Sequence, residues 1–208
     1  MDSMLRAGAY RWHIRNRVRA GNTGSPWLNA MTRSESARRP ALAGFRRTVR
    51  RVLRRRGALS EADGAVPYGT TVFAEIPAVA NLAPVFLDAL RRAAKDAAND
   101  GVEFRVNSGW RSPAYQNQLR HQAIAKYGSE QEAARWVATA DRSAHVLGNA
   151  IDLGPAEATA WLSEHGAAYG LCQIYRNEPW HYELRPEAIG HGCPPMYADP
   201  SQDPGLQR

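Results

Sequence analysis

The 208-residue chain has no run of 18 or more apolar residues, so it offers no candidate for a membrane-spanning helix. It has only two cysteines, Cys172 and Cys193, and neither belongs to a CxxC pair, which argues against a separate zinc knuckle. Acidic side chains are almost missing from residues 1–60, which hold 2 of the 20, while the same stretch carries 15 of the 27 basic ones, a balance of +13. The other 148 residues hold 12 basic and 18 acidic side chains, a balance of −6, so the overall +7 is the property of an arm. A positive stretch followed by 7 to 15 apolar residues never occurs, and the twin arginines Arg38 and Arg39 precede an apolar stretch cut short by Arg46 and Arg47, so no export signal is read. Internal repeats are also missing. With 44% apolar and 23% charged residues, the chain can still bury a core.

The sequence divides into a basic arm (residues 1–61), a main domain (62–200) and a tail (201–208). Within the arm, Leu42, Phe45, Val49, Val52 and Leu53 recur at helical spacing among seven arginines in residues 46–56. This is a short basic amphipathic segment suited to peripheral contact with an anionic membrane, or else a solvated tail. It has no aromatic interleaving of the kind that stacks on bases, and no nucleic-acid partner is expected.

From Ala62 the texture changes. Asn81 is placed to cap a helix with Pro84 in its first turn and an apolar face of Leu82, Val85, Phe86, Ala89, Leu90, Ala93 and Ala97. Residues 102–106 read as a strand, Ser112 and Pro113 open a second helix ending at Gly128, and Ser129 with Glu132 caps a third. A fourth helix spans 155–166, and β-like stretches follow at 171–175 and 180–184. Helices followed by short strands, with turns too brief for parallel crossovers, give an α+β fold: a small antiparallel sheet packed by several α-helices. Trp110 and Trp161 read as core residues, and Trp180 as packing under the site.

His13, His121, His165 and His191 fit solvated positions, whereas His145 and His181 each have a carboxylate at short spacing. Two ligands on one metal bring their donor atoms within about 3 to 4 Å. Seven residues of straight strand would hold His145 and Asp152 about 23 Å apart on opposite faces, so the chain must reverse between them. Gly148 and Asn149 tolerate positive φ in such a reversal, and Ala150 keeps crowding low. Two imidazoles and a carboxylate leave one tetrahedral position open for water, as in catalytic zinc sites. Glu178, three residues before His181, is placed to stand beside that water. The alternative is two core histidines and two exposed acids.

The stretch Ser143-Ala-His145-Val-Leu-Gly148-Asn-Ala150-Ile-Asp152 matches S-x-H-x-x-G-x-A-x-D, and Glu178-Pro-Trp-His181 matches E-x-W-H. With Ser108-Gly-Trp-Arg111-Ser-Pro-Ala-Tyr115-Gln116, these motifs resemble the VanY-type D-alanyl-D-alanine carboxypeptidases, of the peptidase fold that includes lysostaphin and the hedgehog signalling domain. The resemblance implies a zinc peptidase of the cell envelope, acting on a peptidoglycan stem peptide. His145, Asp152 and His181 would hold Zn²⁺, Glu178 would be the general base, and Arg111 would stabilise charge on the carbonyl oxygen or hold a substrate carboxylate. Ser143 and Gln116 would contact the peptide, although Ser143 equally suits stabilising the turn before His145. L,D-carboxypeptidase, endopeptidase and non-catalytic peptidoglycan-binding roles use the same motifs. A monomer is expected. If Cys172 and Cys193 pair, they close a loop of about 20 residues around Glu178 and His181 and imply an oxidising compartment; two buried free thiols are the alternative.

Overall fold

The computed structural model describes residues 59–207; the amphipathic segment at 41–56 and His13 lie outside them. Six α-helices occur among these residues: α1 (Pro77–Ala80), α2 (Pro84–Asn99), α3 (Pro113–Tyr127), α4 (Glu130–Ala134), α5 (Ala156–His165) and α6 (Pro204–Gln207). Four strands, β1 (Arg105–Ser108), β2 (Ala150–Gly154), β3 (Leu171–Gln173) and β4 (His181–Leu184), form one antiparallel sheet in the order β1-β2-β4-β3. The expected α+β architecture is therefore present. No helix among the described residues is long and apolar enough to cross a membrane.

Strand alternation gives the sheet two unlike faces. Val106, Ile151, Leu153, Leu171, Tyr182 and Leu184 lie on one, packed with Phe86, Ala89, Leu90, Ala93 and Ala97 of α2 and with Ala158, Trp161 and Leu162 of α5. On the opposite face, the register sets Asp152 against His181 and sets Glu183 against Ala150 on one side and Cys172 on the other. Between Val106, opposite Leu153, and Ser108, opposite Asp152, β1 shifts register. Such a bulge reverses the side to which the following residue points, so Ser108 joins the polar face although Val106 belongs to the core.

Several local expectations hold. Helix α3 starts at the Ser112 cap, whose Oγ accepts from Tyr115 N–H, and ends at Gly128 with φ 85°. Ser129 Oγ likewise accepts from Glu132 N–H. Three expectations need correction. Asn81 terminates α1 instead of capping α2, which begins at Pro84 behind Ala83, where proline's missing N–H and fixed φ suit the first helical position. Val85 is 69% exposed, because a residue next to Phe86 is turned by about 100° from the buried stripe. Trp110 is half-buried against the main core, while Trp161 is in it. Strand β2, buried at all five positions, was not anticipated as a strand.

A second apolar cluster of Cys172, Ile174, Tyr175 and Ala188 has Leu206 packed against it. Cys172 and Cys193 form a disulfide across 21 residues of sequence, enclosing Glu178 and His181. Closing a loop of this length removes unfolded-state entropy equivalent to roughly 3 kcal/mol. Replacing both cysteines with serine should lower unfolding free energy by about that amount in a denaturant titration under oxidising conditions. An unchanged midpoint and slope would contradict this role for the bridge.

Candidate metal centre

His145, Asp152 and His181 converge, all three buried, although 36 residues separate the two histidines. Asp152 and His181 meet because they are register partners across β2 and β4. His145 arrives on a turn: Gly148 N–H and Asn149 N–H bond to the carbonyls of His145 and Ala144, and the chain then enters β2. Gly148 has φ +73°, and a Cβ there would lie 2.5 Å from the Asn81 carbonyl oxygen. The expected reversal thus depends on glycine for conformation and for space. Ser143 is buried, and its Oγ accepts from Val146 N–H at 3.4 Å, the turn-stabilising contact anticipated for it.

His145 Nε2 lies 3.3 Å from His181 Nδ1 and 3.3 Å from Asp152 Oδ1, and the last two atoms are 3.2 Å apart. The edge of a tetrahedron with bonds of about 2.0 to 2.1 Å is about 3.3 to 3.4 Å, so this triangle fits three ligands of one zinc ion. The far nitrogens of both rings are occupied. His145 Nδ1–H donates to the Gly109 carbonyl at 2.8 Å, and His181 Nε2–H donates to Glu183 Oε1 at 3.1 Å. These bonds leave Nε2 of one ring and Nδ1 of the other facing into the triangle, where they could ligate a metal ion.

Glu178 and His181 are joined by a turn in which His181 N–H donates to the Glu178 carbonyl at 3.0 Å, with Pro179 as its second residue. The turn places Glu178 Oε2 3.8 Å from His181 Nδ1. Arg111 reaches the centre from the other side. Its Nη2 donates to Asp152 Oδ2 at 2.8 Å, its Nη1 to Gln116 Oε1 at 3.1 Å and its Nε to Ser108 Oγ at 2.8 Å. Buried Gln116 also donates from Nε2 to the Ala138 carbonyl. Glu178 and Arg111 thus adjoin the three residues, Gln116 contacts Arg111, and Ser143 contacts the turn that carries His145. Trp180 is half-buried, and its carbonyl accepts from Leu153 N–H. His121, His165 and His191 are exposed. The sequence reading missed Glu183 and the Gly109 carbonyl; spacing of two from His181 along a strand was the available signal for the first.

A family model described as VanY, D-alanyl-D-alanine carboxypeptidase, matches residues 80–187. A D-alanyl-D-alanine carboxypeptidase from Enterococcus faecalis is 32% identical over 113 residues, covering 42% of this chain and 42% of that protein, so the chain spans less than half the relative's length. Among solved structures, a mutant of the vancomycin resistance D,D-pentapeptidase VanY in complex with Zn(II) is 26% identical with a TM-score of 0.46, covering 50% of this chain and 72% of the other. VanYB in complex with D-alanine-D-alanine is 28% identical with a TM-score of 0.44, covering 47% and 67%. The LdcB LD-carboxypeptidase is 23% identical with a TM-score of 0.47, covering 59% and 68%.

The metal-free electrostatics are uneven. Burial and the Arg111 charge push the His145 imidazole down. Burial acts the same way on His181, but hydrogen bonds to Asp152 and Glu183 outweigh it and raise the ring to about 10. Burial would raise Asp152, yet His145, His181 and Arg111 hold it well below the usual carboxylate range. For Glu178, burial dominates and pushes the carboxyl from 4.5 up to about 7. An acid raised on folding is protonated equally in both states below about 4.5 and opposes folding progressively as pH rises to about 7. At 1.36 kcal/mol per unit, the opposition above pH 7 is of the order of 3 kcal/mol. Metal-free Glu178→Gln should therefore melt several degrees above metal-free wild type at pH 8, with most of the gap gone at pH 5 and the rest below 4.5. An equal gap at both pH values would contradict the assignment.

Proposed function

The chain belongs to the VanY D-alanyl-D-alanine carboxypeptidase family, and on that premise we propose that it is a zinc peptidase that removes the C-terminal D-alanine from peptidoglycan stem peptides. The observation that carries this reading is the triangle of His145 Nε2, Asp152 Oδ1 and His181 Nδ1, with both far ring nitrogens tied down. Glu178 and Arg111 stand beside it. A binding module would not need a buried carboxyl at that position.

Zinc held there supplies Lewis acidity, acidifying a water and polarising the scissile carbonyl. Glu178 accepts the proton of the attacking water and returns it to the departing amine: a C–O bond forms, the C–N bond breaks, and the proton ends on D-alanine. The place of Glu178, buried with its Oε2 3.8 Å from His181 Nδ1, supports this role. Arg111 commits one N–H each to Ser108, Gln116 and Asp152. A guanidinium has five such donors; the second on Nη2 lies toward His145 Nε2 at 3.4 Å, and the second on Nη1 is left for the carbonyl oxygen or the substrate carboxylate. Gln116 acts first by holding Arg111, and Ser143 by holding the His145 turn, with contact to the peptide as a further role for each. The Cys172–Cys193 bridge supports work in an oxidising compartment, which agrees with a cell-envelope substrate.

Zinc content and D-alanine release from pentapeptide and tetrapeptide stems test the reading together. Wild type should hold one zinc and release D-alanine from the pentapeptide. Glu178→Gln should keep its zinc and lose roughly 10²- to 10⁴-fold in turnover. Full activity in that variant would overturn the mechanism, and release from the tetrapeptide alone would assign L,D cleavage instead.

A further inference from the structure

We infer that Glu183, held by Arg185, is a positioning residue for the metal centre: it fixes His181 in the orientation and tautomer that present Nδ1 to zinc. The inference rests on the metal reading above and adds a residue outside the ligand set. Glu183 is buried, and its two oxygens have different partners. Oε1 accepts from His181 Nε2–H at 3.1 Å, and Oε2 accepts from Arg185 Nη2 at 2.7 Å.

Strand geometry produces this arrangement. His181 and Glu183 are two residues apart on β4 and so share a face, while Tyr182 between them enters the main core. The Tyr175 ring packs against His181 with centroids 5.0 Å apart, and across the sheet the positions opposite Glu183 are Ala150 and Cys172. Its carboxylate lies against the ring nitrogen turned away from the ligand triangle, where it holds the ring without joining the triangle. Without an acceptor at that place, the ring is free to rotate or to carry its proton on Nδ1, and either change withdraws a ligand.

Carboxylates behind metal-bound imidazoles typically contribute 10- to 100-fold to metal affinity. The test is zinc affinity, measured by chelator competition well below each variant's melting temperature, together with the melting temperature of the metal-free protein. Glu183→Ala should weaken zinc binding by roughly 10- to 100-fold. Glu183→Gln, which keeps an acceptor for Nε2–H but loses the charge, should recover part of that loss. A role confined to packing predicts a lower metal-free melting temperature with unchanged zinc affinity in both variants, and that result would overturn the inference. Wild-type protein that takes up no zinc would instead overturn the metal reading, and this role with it.

Discussion

Asp152 and His181 face one another across β2 and β4, and the polar face of the sheet is arranged around that pair. A slip of one residue in β4 would send His181 toward the core and bring Tyr182 outward, and a slip in β2 would do the same to Asp152 and its apolar neighbours Ile151 and Leu153. The apolar face resists such a slip, because Ile151, Leu153 and Tyr182 are buried there against α2 and α5, and each large side chain left exposed costs about 1.5 to 3 kcal/mol. The core therefore fixes the spacing of the ligands without touching them. The β1 bulge extends the same logic by bringing Ser108 opposite Asp152, where it anchors the Arg111 guanidinium.

Around this pair, backbone and side chains divide the work of aiming the ligands. His145 is docked on the segment after β1 twice, its ring donating to the Gly109 carbonyl and its own carbonyl accepting from Arg111 N–H. Gly109 cannot be enlarged there, since a Cβ would lie 2.0 Å from the Ala78 carbonyl oxygen. His181 is aimed by the charge pair of Glu183 and Arg185, and Asp152 by Arg111, which takes Oδ2 and leaves Oδ1 for the triangle. Three carboxyl groups, Asp152, Glu178 and Glu183, stand against two guanidinium groups, Arg111 and Arg185, and in the metal-free protein the raised His181 supplies the third positive charge, a place a metal cation could take. Burial is what pushes Glu178 upward in the metal-free protein, with the Asp152 charge adding to it.

The ligands were legible because their side chains carry the chemistry and short spacing implied the geometry. His145 and Asp152 demanded a reversal, Gly148 and Asn149 supplied it, and Glu178 and His181 lie on one turn. The helices at 113–127, 130–134 and 156–165 were legible through their caps and bounding glycines. Strand β2 was not, because Ala-Ile-Asp-Leu-Gly is buried on both faces and the polar side chain within it is a ligand, so no solvent-facing alternation marks it. The Gly109 carbonyl carries no signature, being backbone brought close by tertiary packing. Glu183 reads as an ordinary strand residue until the register places it behind His181. Pro84, visible from the start, outranked Asn81 as the marker for the start of α2.

The central claim is that two imidazoles and one carboxylate of this chain hold a single zinc ion. X-ray absorption at the zinc edge of the protein loaded with one equivalent of zinc tests it most directly. The account predicts four-coordinate zinc with nitrogen and oxygen neighbours at about 2.0 to 2.2 Å and two imidazole scattering patterns. Sulfur neighbours near 2.3 Å, or an all-oxygen shell with no imidazole signature, would contradict it.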